Sequence, residues 1–256
     1  MPSSPAPATP LAEWTGEIDG LTFRVLSTRH AAADAPTFVL VHGIGTSHRY
    51  LTRLHAELAA GATVHSIDLP GFGGLPAPKG APGVPEISHA LGTLLERTGV
   101  THAVLLGHSM GVQWVVDLAA QRPDLARAVV LCSPVVDRAH RTRRMQAFLL
   151  SHDSALEPPR AALTVFREYL RSGLRWYAAQ ARHMVRYPLE DRVATLSVPV
   201  LIVRGSKDRI AGQRWCSELR DRAADGTLAV VPGHRHLVQF TAPATVAAGI
   251  RRFLGS

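Results

Sequence analysis

From Thr37 onward, short apolar runs recur along the chain, each closed by a turn signal and followed by a segment whose apolar residues return at helical spacing. The runs are Thr37–Val41, Thr63–Ile67, Ala103–Leu106, Ala128–Cys132, Val198–Val203 and Leu228–Val231. Uninterrupted apolar strands that alternate with helices describe a parallel sheet covered on both faces, because such strands have no solvent side on which to place polar residues. The intervening helices read as His48–Ala60, Pro85–Arg97, Met110–Gln121, Gln213–Ala223 and Ala242–Leu254. The fold class is therefore α/β, a mostly parallel central sheet with helices on both faces.

Two stretches depart from that alternation. Residues 1–20, rich in Pro, Ala and Ser at their start, read as a flexible tail, and an opening strand is predicted at Leu21–Ser27. Between the strand ending near Cys132 and the one beginning at Val198 the gap is too long for a single crossover. Helical patterns at Ala161–Arg171 and Trp176–Val185 make residues 135–195 a helical insertion over the strand ends, a lid that divides the core into residues 21–134 and 196–256.

Composition adds bounds. A chain of 256 residues with 46% apolar and 19% charged residues suits one large globular domain with its own core. No apolar run approaches the ~18–20 residues of a membrane-spanning helix, and the first residues lack the basic and apolar regions of a secretory signal, so a cytoplasmic location is expected. The formal charge of +8 would by itself permit an anionic partner. However, 26 of the 28 basic residues are arginine, scattered apart from one cluster at Arg138, Arg141, Arg143 and Arg144, which reads as coding bias with no nucleic-acid partner. Cys132 and Cys216 form no CxxC pair and no zinc-ligand spacing.

The chemistry concentrates where strands end. Gly107-His108-Ser109-Met110-Gly111 follows an apolar run and opens a helix. A serine on so sharp a strand-to-helix turn needs glycine two positions to either side, since side chains there would collide with the neighbouring strand and helix. The helix that starts at Met110 aims its free N–H groups at charge developing on a substrate oxygen. Val41-His42-Gly43-Ile44-Gly45 ends an earlier strand, and its Ile44 N–H is a second candidate donor beside that of Met110. Asp68-Leu69-Pro70-Gly71-Phe72-Gly73 closes the next strand and reads as architectural, and His42 and His108 read as structural or substrate-shaping residues rather than proton carriers.

In order and context these motifs resemble the α/β-hydrolase superfamily, over roughly Thr37 to Leu254. The resemblance implies a triad in the chain order serine, acid, histidine, with no cofactor or metal. Its acid belongs after the late strand, where Gly205-Ser206-Lys207-Asp208 offers Asp208; Asp137 is the alternative position. Two histidines compete in Gly233-His234-Arg235-His236. Glycine directly before the residue favours His234, whereas the family's spacing to the proline that opens the last helix favours His236, seven residues before Pro243. The spacing sets where the loop leaves the sheet, so His236 is preferred.

The reading is a lidded serine hydrolase that cleaves a carboxylic ester or lactone, with Ser109, Asp208 and His236 as its triad and the Ile44 and Met110 N–H groups as its oxyanion donors. Hydrolysis of a carbon–carbon bond, lyase or acyl-transfer chemistry, and a receptor that retains the triad remain alternatives. Aromatic residues of the insertion, Phe148, Phe166, Tyr169, Trp176 and Tyr177, are candidates for a pocket wall, with Trp176 and Tyr177 foremost. Arg141 and Arg144 are candidates for binding a substrate carboxylate. Neither the substrate nor the oligomeric state is written in the sequence.

Overall fold

A computed structural model describes residues 11–138, 141–142, 144–145 and 156–255. Among the described residues eight strands form one sheet: β1 (Ala12–Ile18), β2 (Leu21–Thr28), β3 (Thr37–Val41), β4 (Thr63–Asp68), β5 (Ala103–His108), β6 (Ala126–Cys132), β7 (Val200–Gly205) and β8 (Gly226–Val231), in the spatial order β1-β2-β4-β3-β5-β6-β7-β8. The β1–β2 and β2–β4 pairs are antiparallel and all others are parallel.

Strand β1 corrects the expected tail over Ala12–Ile18, and residues 1–10 of that expectation lie outside the described residues. All seven of its residues pair with β2, from Ala12 opposite Ser27 to Ile18 opposite Leu21, around an Asp19-Gly20 turn with both φ angles positive. An edge strand that leaves Glu13, Thr15 and Glu17 facing solvent has no apolar run to announce it, although the two-residue Asp-Gly turn is a hairpin signal. The late strand is also displaced: β7 starts at Val200, one residue past Pro199, which has no N–H to give to a ladder.

Helices cover the parallel part of the sheet. A 3₁₀ turn at His48–Tyr50 leads into α1 (Thr52–Ala59), where one continuous helix was expected; the Ser47 side chain accepts from Arg49 N and caps the short turn. Then come α2 (Val84–Arg97), α3 (Gly111–Gln121), α4 (Pro159–Ser172), α5 (Leu174–Arg186), α6 (Leu189–Val193), α7 (Gln213–Arg222), α8 (Val238–Thr241) and α9 (Pro243–Leu254). Alternate strand residues feed two apolar layers. Val39, Val41, Leu105, Val129 and Ile202 pack with α2, α3 and α7, and Phe38, Leu40, Val104, Val130 and Leu201 pack with α1 and α9. Each buried Leu or Val contributes about 1.5–3 kcal/mol, and this double layer keeps the strand ends fixed relative to one another.

Helices α4 and α5 lie against the loops at the carboxyl ends of β3 and β4. Tyr169 and Tyr177 stack edge to face beside Gly45, and Trp176 packs on Gly71 and Phe72. Glu168 reaches Arg49, and His183 Nε2 meets the Ala81 carbonyl.

Candidate active site

Ser109 sits between β5 and α3 with φ of +57°, a left-handed conformation that costs a non-glycine residue of the order of 1–3 kcal/mol. The flanking glycines make the bend possible. A Cβ on Gly107 would stand 2.3 Å from the Gly111 backbone, and one on Gly111 would stand 2.4 Å from the Val41 carbonyl oxygen. No side chain fits at either position.

Three strand ends bring the expected residues together. The Ser109 hydroxyl donates to His236 Nε2 over 3.1 Å, and His236 Nδ1–H donates to Asp208 Oδ2 over 3.1 Å. All three residues are buried. The second Asp208 oxygen accepts from the Ile210 and Ala211 N–H groups, each at 2.9 Å. Burial opposes ionisation of Asp208, but the His236 ring and these donors outweigh it and hold the carboxyl down at about 2. It is therefore an anion throughout the working pH range. Asp208 rather than Asp137 thus meets the histidine ring, and His234 instead meets Thr241 Oγ1 through its Nδ1 at 2.9 Å.

The His42–Gly45 turn lies against the serine. A Cβ on Gly43 would stand 3.0 Å from that of Ser109. Neither the Ile44 nor the Met110 N–H is bonded to a protein group among the described residues. With the positive end of α3 behind Met110, the arrangement can meet negative charge forming on an oxygen near Ser109.

His42 and His108 both have their ring nitrogens committed to other protein groups. His42 Nδ1–H donates to the Gly43 carbonyl, and Nε2 accepts from Leu69 N. His108 is part of a longer chain. The Gly43 N–H donates to Tyr50 Oη (2.6 Å), the Tyr50 hydroxyl donates to His108 Nδ1 (2.7 Å), and His108 Nε2–H donates to the His236 carbonyl (3.0 Å). A carbonyl only accepts, so the proton on Nε2 fixes the tautomer. Burial, with the neighbouring His236 ring, lowers the His108 pKa to about 3 and keeps it neutral. Asp68 is likewise structural. It accepts from His48 N, His48 Nδ1 and Arg24 Nη1, and so joins β2, β4 and the 3₁₀ turn.

Sequence reasoning missed several supporting residues. Tyr50 gave no signal. Arg204, buried inside the apolar run of β7, clamps the acid loop through the Asp208 and Ala211 carbonyls; a lone charge in a buried strand was the clue. Buried Glu157 accepts from Leu237 N, beside His236. Gly205 allows the histidine loop to close on β7, since a Cβ there would stand 2.3 Å from the His234 carbonyl.

The proposed substrate contacts divide. Tyr177 and Trp176 face Gly45 and Gly71, whereas Phe166 is exposed on the outer face of α4. Arg141 is not free for a substrate: its Nη2 lies 2.7 and 2.6 Å from the two oxygens of the buried Glu190, and Arg138 pairs with Glu218. Arg144 is exposed, and Arg143 and Phe148 lie outside the described residues. Among the described residues no group of His, Cys, Asp and Glu side chains could hold a metal ion.

A sheet of this topology with a serine, histidine and carboxylate at its carboxyl edge defines the α/β-hydrolase class. The chain belongs to the alpha/beta hydrolase family, whose profile matches residues 38–249. It is 25% identical over 244 residues to the 2-(acetamidomethylene)succinate hydrolase of Mesorhizobium japonicum, covering 86% of this chain and 88% of that one. The crystal structure of the enol-lactonase from Burkholderia xenovorans aligns with a TM-score of 0.80 at 19% identity, covering 94% of this chain and 100% of the other. A thermophilic esterase from Thermogutta terrifontis aligns with a TM-score of 0.81 at 20% identity, covering 95% and 98%. At these identities the structural likeness is one of fold. No helix among the described residues is long and apolar enough to cross a membrane.

Proposed function

We propose that this chain is a serine hydrolase that cleaves a carboxylic ester or lactone through an acyl-enzyme. Ser109 Oγ attacks the carbonyl carbon while its proton passes to His236 Nε2. The tetrahedral oxyanion accepts hydrogen bonds from the Ile44 and Met110 N–H groups. Collapse breaks the bond to the leaving oxygen, which takes the proton from His236. Water then attacks the acyl carbon, gives a proton to His236, and releases the acid as the proton returns to Ser109. Asp208 stays ionised, fixes Nδ1–H and stabilises the imidazolium.

The observation that carries this reading is the unbroken hydrogen-bonded chain from Asp208 through His236 to Ser109, ending on a strained serine. The structural relatives named an esterase and an enol-lactonase favour ester and lactone substrates. In this reading α4 and α5 act as the lid, and Trp176 and Tyr177 wall the acyl site. The ion pair of Arg141 with Glu190 removes that arginine from the substrate contacts.

The test is a panel of p-nitrophenyl esters of increasing chain length and of simple lactones, given to the wild-type protein and to Ser109→Ala. Turnover of at least one substrate, lost in Ser109→Ala, is expected. A tight ligand with negligible turnover across the panel would favour a receptor instead.

A further inference from the structure

Helix α4 turns one apolar face inward and a second one outward. Ala161, Val165 and Ser172 are buried with Glu168, whereas Leu163, Phe166 and Leu170 stand 47%, 59% and 70% exposed on the opposite side, followed by Leu174 at 88%. Their spacing of three and four residues makes them one stripe along the helix. An apolar stripe of this size left in water points to something that covers it.

The charge around the stripe identifies the cover. Between Pro158 and Leu189 the chain holds six arginines, Arg160, Arg167, Arg171, Arg175, Arg182 and Arg186, all exposed, and a single carboxylate, Glu168. That carboxylate is buried and engaged by Arg49 and Arg171, so the outer surface of α4 and α5 carries positive charge alone. On the α4 surface Arg160, Arg167 and Arg171 flank the leucines on one side. A second copy of the chain seated symmetrically on this face would set arginine against arginine. A bilayer of anionic phospholipid accepts both halves of the pattern, the leucines and phenylalanine among the acyl chains and the guanidinium groups among the phosphates.

We infer that the outer face of α4, with the start of α5, is a docking surface for an anionic phospholipid bilayer. The helix lies in the plane of the interface and does not span it. Because the inner face of α4 places Tyr169 beside Gly45, docking there would bring the Ser109 site against the membrane surface. The inference does not depend on the hydrolytic reading, since binding is measured with chemistry disabled.

The full chain carrying Ser109→Ala is mixed with vesicles of phosphatidylcholine alone or of phosphatidylcholine with phosphatidylglycerol, and the bound fraction is separated by sedimentation. Binding to the anionic vesicles alone is expected, with a fall of at least about tenfold in 1 M salt, where the Debye length is about 3 Å. Arg160→Gln with Arg167→Gln should weaken partitioning about 25-fold, at about fivefold per arginine. Leu163→Asp with Leu170→Asp should abolish it, with an unchanged far-ultraviolet circular dichroism spectrum and unchanged turnover of a short soluble ester when made in the wild-type chain. Equal binding to neutral and anionic vesicles, no binding to either, or variants that bind like the parent would overturn the inference. So would a concentration-dependent dimer, seen by analytical ultracentrifugation, that the leucine variant breaks while vesicles are ignored, since a second copy would then cover the face.

Discussion

In the proposed mechanism Ser109, His236 and Asp208 act as a unit, so single replacements should have steep and unequal effects. Ser109→Ala should leave a folded protein whose turnover is lower by on the order of 10⁵–10⁶. Asp208→Asn should cost roughly 10³–10⁴, because an amide neither fixes the Nδ1–H tautomer nor stabilises the imidazolium. Initial rates on an activated ester check both, and a Ser109→Ala protein that keeps a tenth of the wild-type rate would rule out the serine route. Tyr50 is proposed as a positioning residue on the same scale. Its hydroxyl links the Gly43 N–H to His108 and, through His108, to the His236 carbonyl. Tyr50→Phe leaves a buried N–H without a partner, a cost of about 1–3 kcal/mol of stability. If the chain also sets the distance between the Ile44 turn and His236, kcat should fall about tenfold with KM little changed. A loss of thermal stability with unchanged kcat would reduce Tyr50 to a packing role.

At the scale of elements, the elbow between β5 and α3 and the loop before α9 position the proposed nucleophile and base. Gly111→Ala drives a methyl group into the Val41 carbonyl and should cost about 2 kcal/mol or more in urea denaturation, with activity lost. Gly249, inside α9 with open space around its Cβ position, is the control, and its replacement by Ala should stabilise by up to about 1 kcal/mol. The two histidines of the last loop differ in the same way. His236→Ala should remove both the rate and the acid limb of its pH profile, whereas His234→Ala, which loses only the Thr241 contact, should keep the limb. The spacing of seven residues to Pro243 pointed to the histidine whose ring meets Ser109 and Asp208, although glycine stands before the neighbouring one. Apolar runs likewise located β3 to β8 to within a few residues. Strand β1 escaped because an exposed edge needs no apolar run, and Tyr50 escaped because the chain it joins runs from Gly43 to His108 on β5, 58 residues away, and on to the His236 carbonyl. Arg141 misled for a related reason: its carboxylate partner, Glu190, is 49 residues away.

Across the whole molecule, buried histidines couple stability to pH. Burial lowers His42, His55, His65 and His108 from the ordinary 6.5, with His55 and His65 at about 4 and His108 at about 3. These groups stay neutral in the fold, while the unfolded chain takes up protons below 6.5, so stability falls as pH drops through the window from about 6.5 to 3. At pH 5 the loss is of the order of 2 kcal/mol for each of the three lowest. Asp208 protects its own contribution until pH falls below its unfolded value toward about 2, so it does not oppose the trend above pH 5. Calorimetry should place Tm at pH 5 about 10 °C or more below Tm at pH 7, and equal values would mean that the buried imidazoles gain a proton without unfolding. The arginines also belong to this scale. Across the whole chain they look scattered, yet six of them are exposed on the two helices α4 and α5. The role proposed for Ser109 is tested most directly by mixing the protein with excess p-nitrophenyl acetate, quenching within the first turnover and mapping the acyl group by peptide mass spectrometry. A burst of nitrophenolate equal to the enzyme concentration, with one acetyl group on the peptide containing Ser109, is the expected result. Steady turnover with no burst and an unmodified Ser109 peptide, in a protein whose Ser109→Ala form is equally active, would contradict it.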